Sequence, residues 1–345
     1  MLRSLLIGLG IVAAIVAASL VVLAVSYRSF MATPVEVPEE GLEFTIPSGS
    51  AFSRVAADLE RQGVIDSADW LKLHARLTGQ AGKVQAGEYR IASGTLPAEL
   101  FRQFTSGDVI LYAFTIVEGW NRWELQAALA AEPRLVKTLE EADWPDFMTE
   151  LGADSESPEG LFLPETYRFP ANTTDRELLK QAYDLMQETL AEAWPDRATG
   201  LPLETPYEAL VLASIIEKET AKPDERPAIA GVFVRRMERG MRLKTDPTVI
   251  YGIGPDFNGN LTRRDLRTDT PYNTYTRGGL PPTPIAMPGR AAIEAALHPE
   301  AGDTLYFVAT GLGDGSHAFS ATKEEHDRAV QAYLRRLREQ RMSEK

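Results

Sequence analysis

The stretch Ala213-Ser214-Ile215-Ile216-Glu217-Lys218-Glu219-Thr220 puts an acidic residue, Glu217, at the end of an almost wholly apolar helical run. Thr205-Pro206-Tyr207-Glu208 opens that run as a capping box. Thr205 stands at the N-cap, Pro206 at the first helical position and Glu208 three residues after the cap. From Ala209 to Ile216 only Ser214 is polar, and a helix apolar all round is buried. Glu217 shares a face with Leu210, Ala213 and Ser214. A carboxyl group there loses water, which raises its pKa. An acid still protonated near neutral pH is what general-acid chemistry requires. The competing reading is that Glu217 marks only the point where the helix surfaces. Glu219 lies about 200° around the same helix, so the two carboxylates cannot face one substrate. Glu219 is expected to pair with Lys222, three residues on, at the surface.

Other chemistries lack their residues. The chain has no cysteine, which removes disulfides, thiolate metal sites and cysteine nucleophiles. The four histidines, His74, His298, His317 and His326, form no HExxH pair, so no metal site and no cofactor are expected. His317 and His326 read as surface or hydrogen-bonding residues. Gly311-Leu312-Gly313-Asp314-Gly315 lacks the spacing of a nucleotide loop and reads as a turn between strands. There is no GxSxG elbow. Tyr251, Tyr272, Asn273 and Tyr275 suit a sugar, with flat faces for ring packing and an amide for hydroxyl and acetamido groups. Core or turn packing would use the same tyrosines.

The elements that hold these groups follow from the pattern. The chain has 345 residues, 44% hydrophobic and 25% charged, enough for two or three domains. Its net charge of −13 argues against nucleic acid as a partner. From Ser4 to Ser26 no residue is charged, and a helix of that length spans roughly 34 Å, enough to cross a bilayer core. Arg3 and Arg28 flank the run, so charge bias is nearly silent on orientation. We read residues 1–3 as a cytoplasmic tail and 4–26 as an uncleaved transmembrane helix. Residues 27–41, with Pro34 and Pro38, read as a semi-rigid linker. The bulk of the chain is expected outside the cytoplasm.

A weak repeat appears at an offset of 70: Phe44-Thr45-Ile46-Pro47-Ser48-Gly49 aligns with Phe114-Thr115-Ile116-Val117-Glu118-Gly119. Each copy reads as a strand, a Gly turn and an amphipathic helix. Helices over 68–78 and 97–105 and a strand over 87–92 complete a small α+β unit at 42–112. Residues 120–150 read as mainly helical with Pro133 and Pro145 as breakers. Residues 160–167 read as an aromatic loop or edge strand. Helices are expected over 176–194 and 227–239, and a further one N-capped by Asp246 with Pro247 behind it. Residues 252–289 are dense in turn signals, aromatics and polar groups, the mark of a binding loop. A strand over 304–309 and a helix over 323–341 close the chain.

With these residues in hand, the chain resembles the MltG/YceG-like family of endolytic murein transglycosylases. The matching segments are residues 213–220, Leu243-Lys244-Thr245-Asp246-Pro247-Thr248-Val249-Ile250-Tyr251-Gly252, Tyr272-Asn273-Thr274-Tyr275, Gly279-Leu280-Pro281-Pro282 and Ala296-Leu297-His298-Pro299. Gly160 to Tyr167 and Tyr306-Phe307-Val308-Ala309 also fit its pattern. The resemblance implies an α+β protein with an N-terminal transmembrane helix, a small LysM-like domain at 42–112 and a mixed α/β catalytic domain at 113–345. It places the family's catalytic Glu on Glu217. Within the matching segments it marks Glu165, Thr245, Asp246, Thr248, Tyr251, Tyr272, Asn273, Tyr275 and Leu280 as substrate-binding. It implies a single-pass inner-membrane protein with its bulk in the periplasm. Its substrate would be nascent peptidoglycan strands, cut between N-acetylmuramic acid and N-acetylglucosamine to leave a 1,6-anhydro end and stop elongation. Peptidoglycan synthases are the implied protein partners, and no cofactor is implied.

Two other readings compete. A membrane-anchored scaffold would grip peptidoglycan and recruit synthases without cutting it; binding without anhydro products would establish it. An aminodeoxychorismate lyase, a label sometimes attached to this family, would need pyridoxal phosphate on a lysine in a soluble enzyme. The apolar N-terminal run argues against that.

Overall fold

The computed structural model describes residues 2–343. Met1 of the expected tail and Glu344 and Lys345 of the expected catalytic domain lie outside the described residues. The chain forms two compact units, one running up to Tyr112 with Arg168–Asn172 added, the other holding Ala113–Tyr167 and everything after Asn172.

In the first unit, α1 (Leu2–Ala32) comes first. From Leu6 to Val25 its large apolar side chains are exposed. The span Leu6–Ala32 is long and apolar enough to cross a membrane. The expected linker at 27–41 departs from this: the helix runs on through Ala32, and the residues beyond it are tied to the unit. Phe30 and Val35 join the unit's core, Val35 N–H donates to the Thr95 carbonyl and Glu36 N–H to that of Val64. Buried apolar side chains at 30 and 35 fix the segment that Pro34 and Pro38 alone would have left as a spacer.

β1 (Leu42–Ile46) is followed by α2 (Phe52–Arg61), α3 (Ala68–Thr78), β2 (Gly87–Ile91) and α4 (Pro97–Ser106). β1 and β2 pair antiparallel with Phe44 opposite Tyr89. The alternating inward residues Phe44, Ile46, Tyr89 and Ile91 meet Leu59, Leu71, Leu100 and Phe104 from the helices. β3 (Leu111–Thr115) leads out of this unit.

Beyond β3 come α5 (Arg122–Ala131), α6 (Trp144–Glu150), β4 (Thr166–Pro170), whose residues from Arg168 on belong to the first unit, and, in the second unit, α7 (Asp175–Ala193), α8 (Pro206–Glu219), α9 (Arg226–Glu238), α10 (Asp246–Ile253), α11 (Arg290–Leu297), β5 (Tyr306–Ala309), β6 (His317–Ser320) and α12 (Lys323–Ser343). β3 pairs with β4, and β5 pairs antiparallel with β6. The turn between β5 and β6 holds the Gly311–Gly315 stretch. α2 and α5 start and end 70 residues apart, and Gly49 and Gly119 both take left-handed backbone between strand and helix. Both copies of the weak repeat therefore fold as strand, turn and helix.

α8 is the central helix, packed on α9, α10 and α11. Every residue from Ala209 to Ile216 is buried, as its composition requires. Thr205 caps it, its hydroxyl accepting from Glu208 N–H at 3.2 Å. The reciprocal half of the expected box is displaced by one residue: the Glu208 carboxylate accepts from Glu204 N–H. Pro145 does not break a helix but sits in the first turn of α6, where its missing N–H costs nothing. Thr245, not Asp246, is the N-cap of α10, since its backbone is extended and Asp246 is already helical.

Candidate active site

The last turn of α8 points Glu217 into a polar knot. Its side chain is 6% exposed and that of Arg226, at the start of α9, 10%. Arg226 Nη2 donates to Glu217 Oε1 at 2.8 Å. Gly289 N–H, at the N-cap of α11, donates to Oε2 at 3.1 Å. One end of a helix and one guanidinium thus face the carboxyl group. Even so, burial dominates and pushes its pKa up, against the Gly289 bond and the Arg226 charge and with the Glu118 charge. Glu118 approaches the same nitrogen, with Oε2 at 3.7 Å from Nη2.

Glu118 is held by its turn. Gly119 has φ of +79°, a conformation open to glycine. Its N–H donates to the Met287 carbonyl at 2.9 Å, and Met287 N–H donates to the Trp120 carbonyl at 2.6 Å. Lys218 reaches from α8 to the Gly119 carbonyl at 3.0 Å.

Beside Lys218 opens a cleft of about 500 Å³ whose walls include Asn121, Trp123, Pro247, Tyr251 and Phe257. Tyr251 meets Trp123 with centroids 5.3 Å apart and Tyr272 at 4.8 Å in a T-shaped contact. Arg122 stacks on the Trp123 ring at 4.8 Å. Behind the aromatics lies Glu159, wholly buried. Its Oε2 accepts from Arg122 N–H at 3.0 Å, and the Tyr251 hydroxyl faces the same carboxyl group. Burial pushes its carboxyl up to about 7.

The sites expected from sequence divide. Glu217, Tyr251 and Tyr272 belong to the acid and its neighbouring cleft. Thr245, Thr248, Asp246 and Tyr275 form a second network. Thr245 Oγ1 donates to Glu219 Oε1, Thr248 and Thr274 hydroxyls lie 2.9 Å apart, and Tyr275 donates to Asp246 Oδ1 at 2.6 Å. Asn273 is 1% exposed. Its Nδ2 donates to the carbonyls of Asp265, Leu266 and Thr268, and its Oδ1 accepts from Tyr275 N–H. It ties together the loop over 265–275 rather than offering its amide outward. Leu280 lines a different cleft, with Tyr207, Val211 and Met241. Glu165 is exposed at the start of β4 and accepts from Thr166 N–H.

Glu219 corrects an expectation. It does not pair with Lys222, which reaches Asp314 at 3.5 Å instead. Burial pushes the Glu219 carboxyl up to about 7, opposed by the Thr245 bond. The helix turns it toward α10, and there the packing encloses it.

Glu118, Arg226, Gly289, Trp123 and Glu159 were missed. A signal for Trp123 existed: Asn121-Arg122-Trp123-Glu124 is a capping box, with Asn121 Oδ1 accepting from Trp123 and Glu124 N–H. That box fixes where the indole emerges.

A buried carboxyl group one residue from Lys218, which lines an aromatic cleft, fits the class of carbohydrate-active enzymes. Comparison with known proteins narrows the class. The YceG-like family profile matches residues 44–332, and the chain belongs to that family. An endolytic murein transglycosylase of Bacillus subtilis (strain 168) is 32% identical over 327 residues, covering 89% of each chain. An endolytic murein transglycosylase of Streptococcus pneumoniae serotype 2 is 27% identical, over 84% of this chain and 58% of its own length. A 2.6 Å crystal structure of a YceG-like protein from Listeria monocytogenes superposes with a TM-score of 0.55 at 30% identity, covering 84% of this chain and 99% of its own.

If the cleft takes a sugar, Trp123→Ala should raise KM up to about tenfold while kcat changes little, since one ring face contributes on the order of 1 kcal/mol. Steady-state cleavage of glycan strands measures both constants.

Proposed function

We propose that this protein is a membrane-anchored lytic transglycosylase that cuts within peptidoglycan strands, with Glu217 as its acid and base. The observation that carries the reading is the Glu217 carboxyl, buried with a raised pKa beside a cleft walled by Trp123 and Tyr251. The names of the relatives support peptidoglycan as the substrate.

Glu217 gives its proton to the glycosidic oxygen between N-acetylmuramic acid and N-acetylglucosamine, and the C1–oxygen bond breaks. The C6 hydroxyl of the same muramic residue attacks C1, and the Glu217 carboxylate takes the hydroxyl proton. The product is a 1,6-anhydro end, and no water is consumed. Because the nucleophile is part of the substrate, proximity supplies what a second carboxylate supplies in hydrolases. Glu219 faces away and takes no part.

Residues 4–26, within the apolar helix α1, serve as a single-pass anchor in the inner membrane, with residues 1–3 cytoplasmic and the bulk in the periplasm. Residues 42–112 act as a LysM-like glycan grip, a reading supported by their strand–helix–helix–strand order and antiparallel pair. Residues 113–345 carry the cleavage, and peptidoglycan synthases supply the strands whose elongation it ends.

The test is mass spectrometry of uncrosslinked strands incubated with the full chain in detergent. Products one water lighter than hydrolytic ends support the transglycosylase. Hydrolytic ends would make it a glycosidase, with Glu118 the first candidate for the second carboxylate. Strands retained but uncut would favour the scaffold.

A further inference from the structure

Arg226 stands between two carboxylates. The same nitrogen, Nη2, lies 2.8 Å from Glu217 Oε1 and 3.7 Å from Glu118 Oε2. Its Nε is buried without a hydrogen-bond partner, so that edge of the guanidinium is not pinned. A small rotation is enough to trade one acceptor for the other.

Glu118 is built into this position. Its turn is tied to Met287 by two backbone hydrogen bonds and to α8 by Lys218. A Cβ on Gly289 would collide with Glu118 Oε1. The bare backbone of Gly289 therefore lets Glu118 lie against the residue whose N–H binds Glu217. The repeat makes the same point. Position 48 of the first copy is Ser and the matching position of the second is Glu118. The two copies share strand, Gly turn and helix, and differ where a carboxylate enters the site.

We propose that Glu118 and Arg226 are positioning residues that set the acidity of Glu217, with Glu118 competing for the guanidinium. The inference rests on Glu217 being the acid of the proposed reaction. With Arg226 turned to Glu217, the carboxylate form is favoured. With Arg226 turned to Glu118, Glu217 loses its counter-charge and keeps its proton, as a general acid must. The groups facing Glu217 are Arg226 from α9, Glu118 from the turn and the Gly289 N–H from α11. Lys218, on its own helix, is bonded to Gly119, and Asp246 of α10 faces Glu219 instead.

The test follows the Glu217 carboxyl in the full chain by NMR with glutamate labelled at Cδ, assigned by the signal lost in Glu217→Gln. Glu118→Gln removes the competing negative charge, which is also a like charge beside Glu217, and leaves Arg226 only a neutral amide oxygen there. It should lower the Glu217 midpoint by about one pH unit. The descending limb of the cleavage profile should move down by the same amount, about tenfold slower above it, while the low-pH plateau is kept. Arg226→Gln should move both upward, and Arg226→Lys, which keeps the charge, should stay near wild type. A midpoint that stays or rises in Glu118→Gln, or an equal loss of rate at every pH, would overturn the proposal. Cleavage surviving in Glu217→Gln would instead sink the assignment of the acid, a separate result from the titration.

Discussion

Glu217→Gln should slow strand cleavage by about 10²- to 10⁴-fold, the range that a positioned general acid contributes. The amide keeps the shape of the carboxyl group but has no acidic proton to give. Its carbonyl oxygen can still accept from Gly289 N–H, which now binds Oε2 at 3.1 Å. The Arg226 charge is not stranded either, because Glu118 lies within 3.7 Å of the same nitrogen. The fold should therefore survive, and Tm should change little beside the loss of rate. Glu219→Gln is the matched control. Its oxygen can still accept from Thr245, and it should keep most activity. Release of anhydro ends, measured beside the melting curve of each variant, decides the matter. A Glu217→Gln protein that cuts at the wild-type rate would place the acid elsewhere.

The burial of Glu217 was legible because the helix that carries it must be buried. A capped helix apolar on every face has to be buried, so a carboxylate on its last turn is a conflict that chemistry explains better than folding does. Most of the helices, the strands near 87–92 and 304–309 and the closing helix were legible from periodicity with turn signals, while which strands pair was not. What escaped were groups brought in by tertiary packing. Arg226 is nine residues from Glu217 in sequence, but it lies on the next helix, beyond a turn. Glu118 and Gly289 come from turns whose sequences report their backbone and not their neighbours. Glu219 was misread because helix angle tells which way a side chain points and not what stands there. That face meets α10 and Thr245 rather than water. Asn273 and Tyr275 were read as groups offered to a sugar, since an amide and a phenol suit hydroxyls. In the fold their polar atoms are engaged by the loop itself and by Asp246.

Raising the pH from about 4.5 to 7 should destabilise the protein, and Glu159 should account for about 3 kcal/mol of the loss. Glu159 is wholly buried and burial pushes its carboxyl to about 7, against an ordinary 4.5. Below 4.5 folded and unfolded chains both carry its proton, so nothing is gained or lost. Between 4.5 and 7 the unfolded chain gives the proton up while the folded chain retains it, so stability falls with each unit of pH. Above 7 the folded chain ionises too, and the loss levels off with a buried charge left in place. Glu219, also pushed to about 7, acts in the same window and direction. Asp269 and Asp314, both held near 2 by hydrogen bonds, act the other way but only as the pH falls below the ordinary carboxylate range. They leave the window free. Glu159→Gln stays neutral throughout and should flatten the dependence, so its Tm at pH 8 should fall less from its pH 5 value than that of wild type. The same variant tests function. The Arg122 N–H that Glu159 holds is the first of α5, and the next residue is Trp123. If neutral Glu159 is the working form at the cleft wall, the Gln protein should cut strands as well at pH 8 as at pH 6. A Tm profile that runs parallel to wild type would mean that Glu159 titrates in the ordinary range despite its burial.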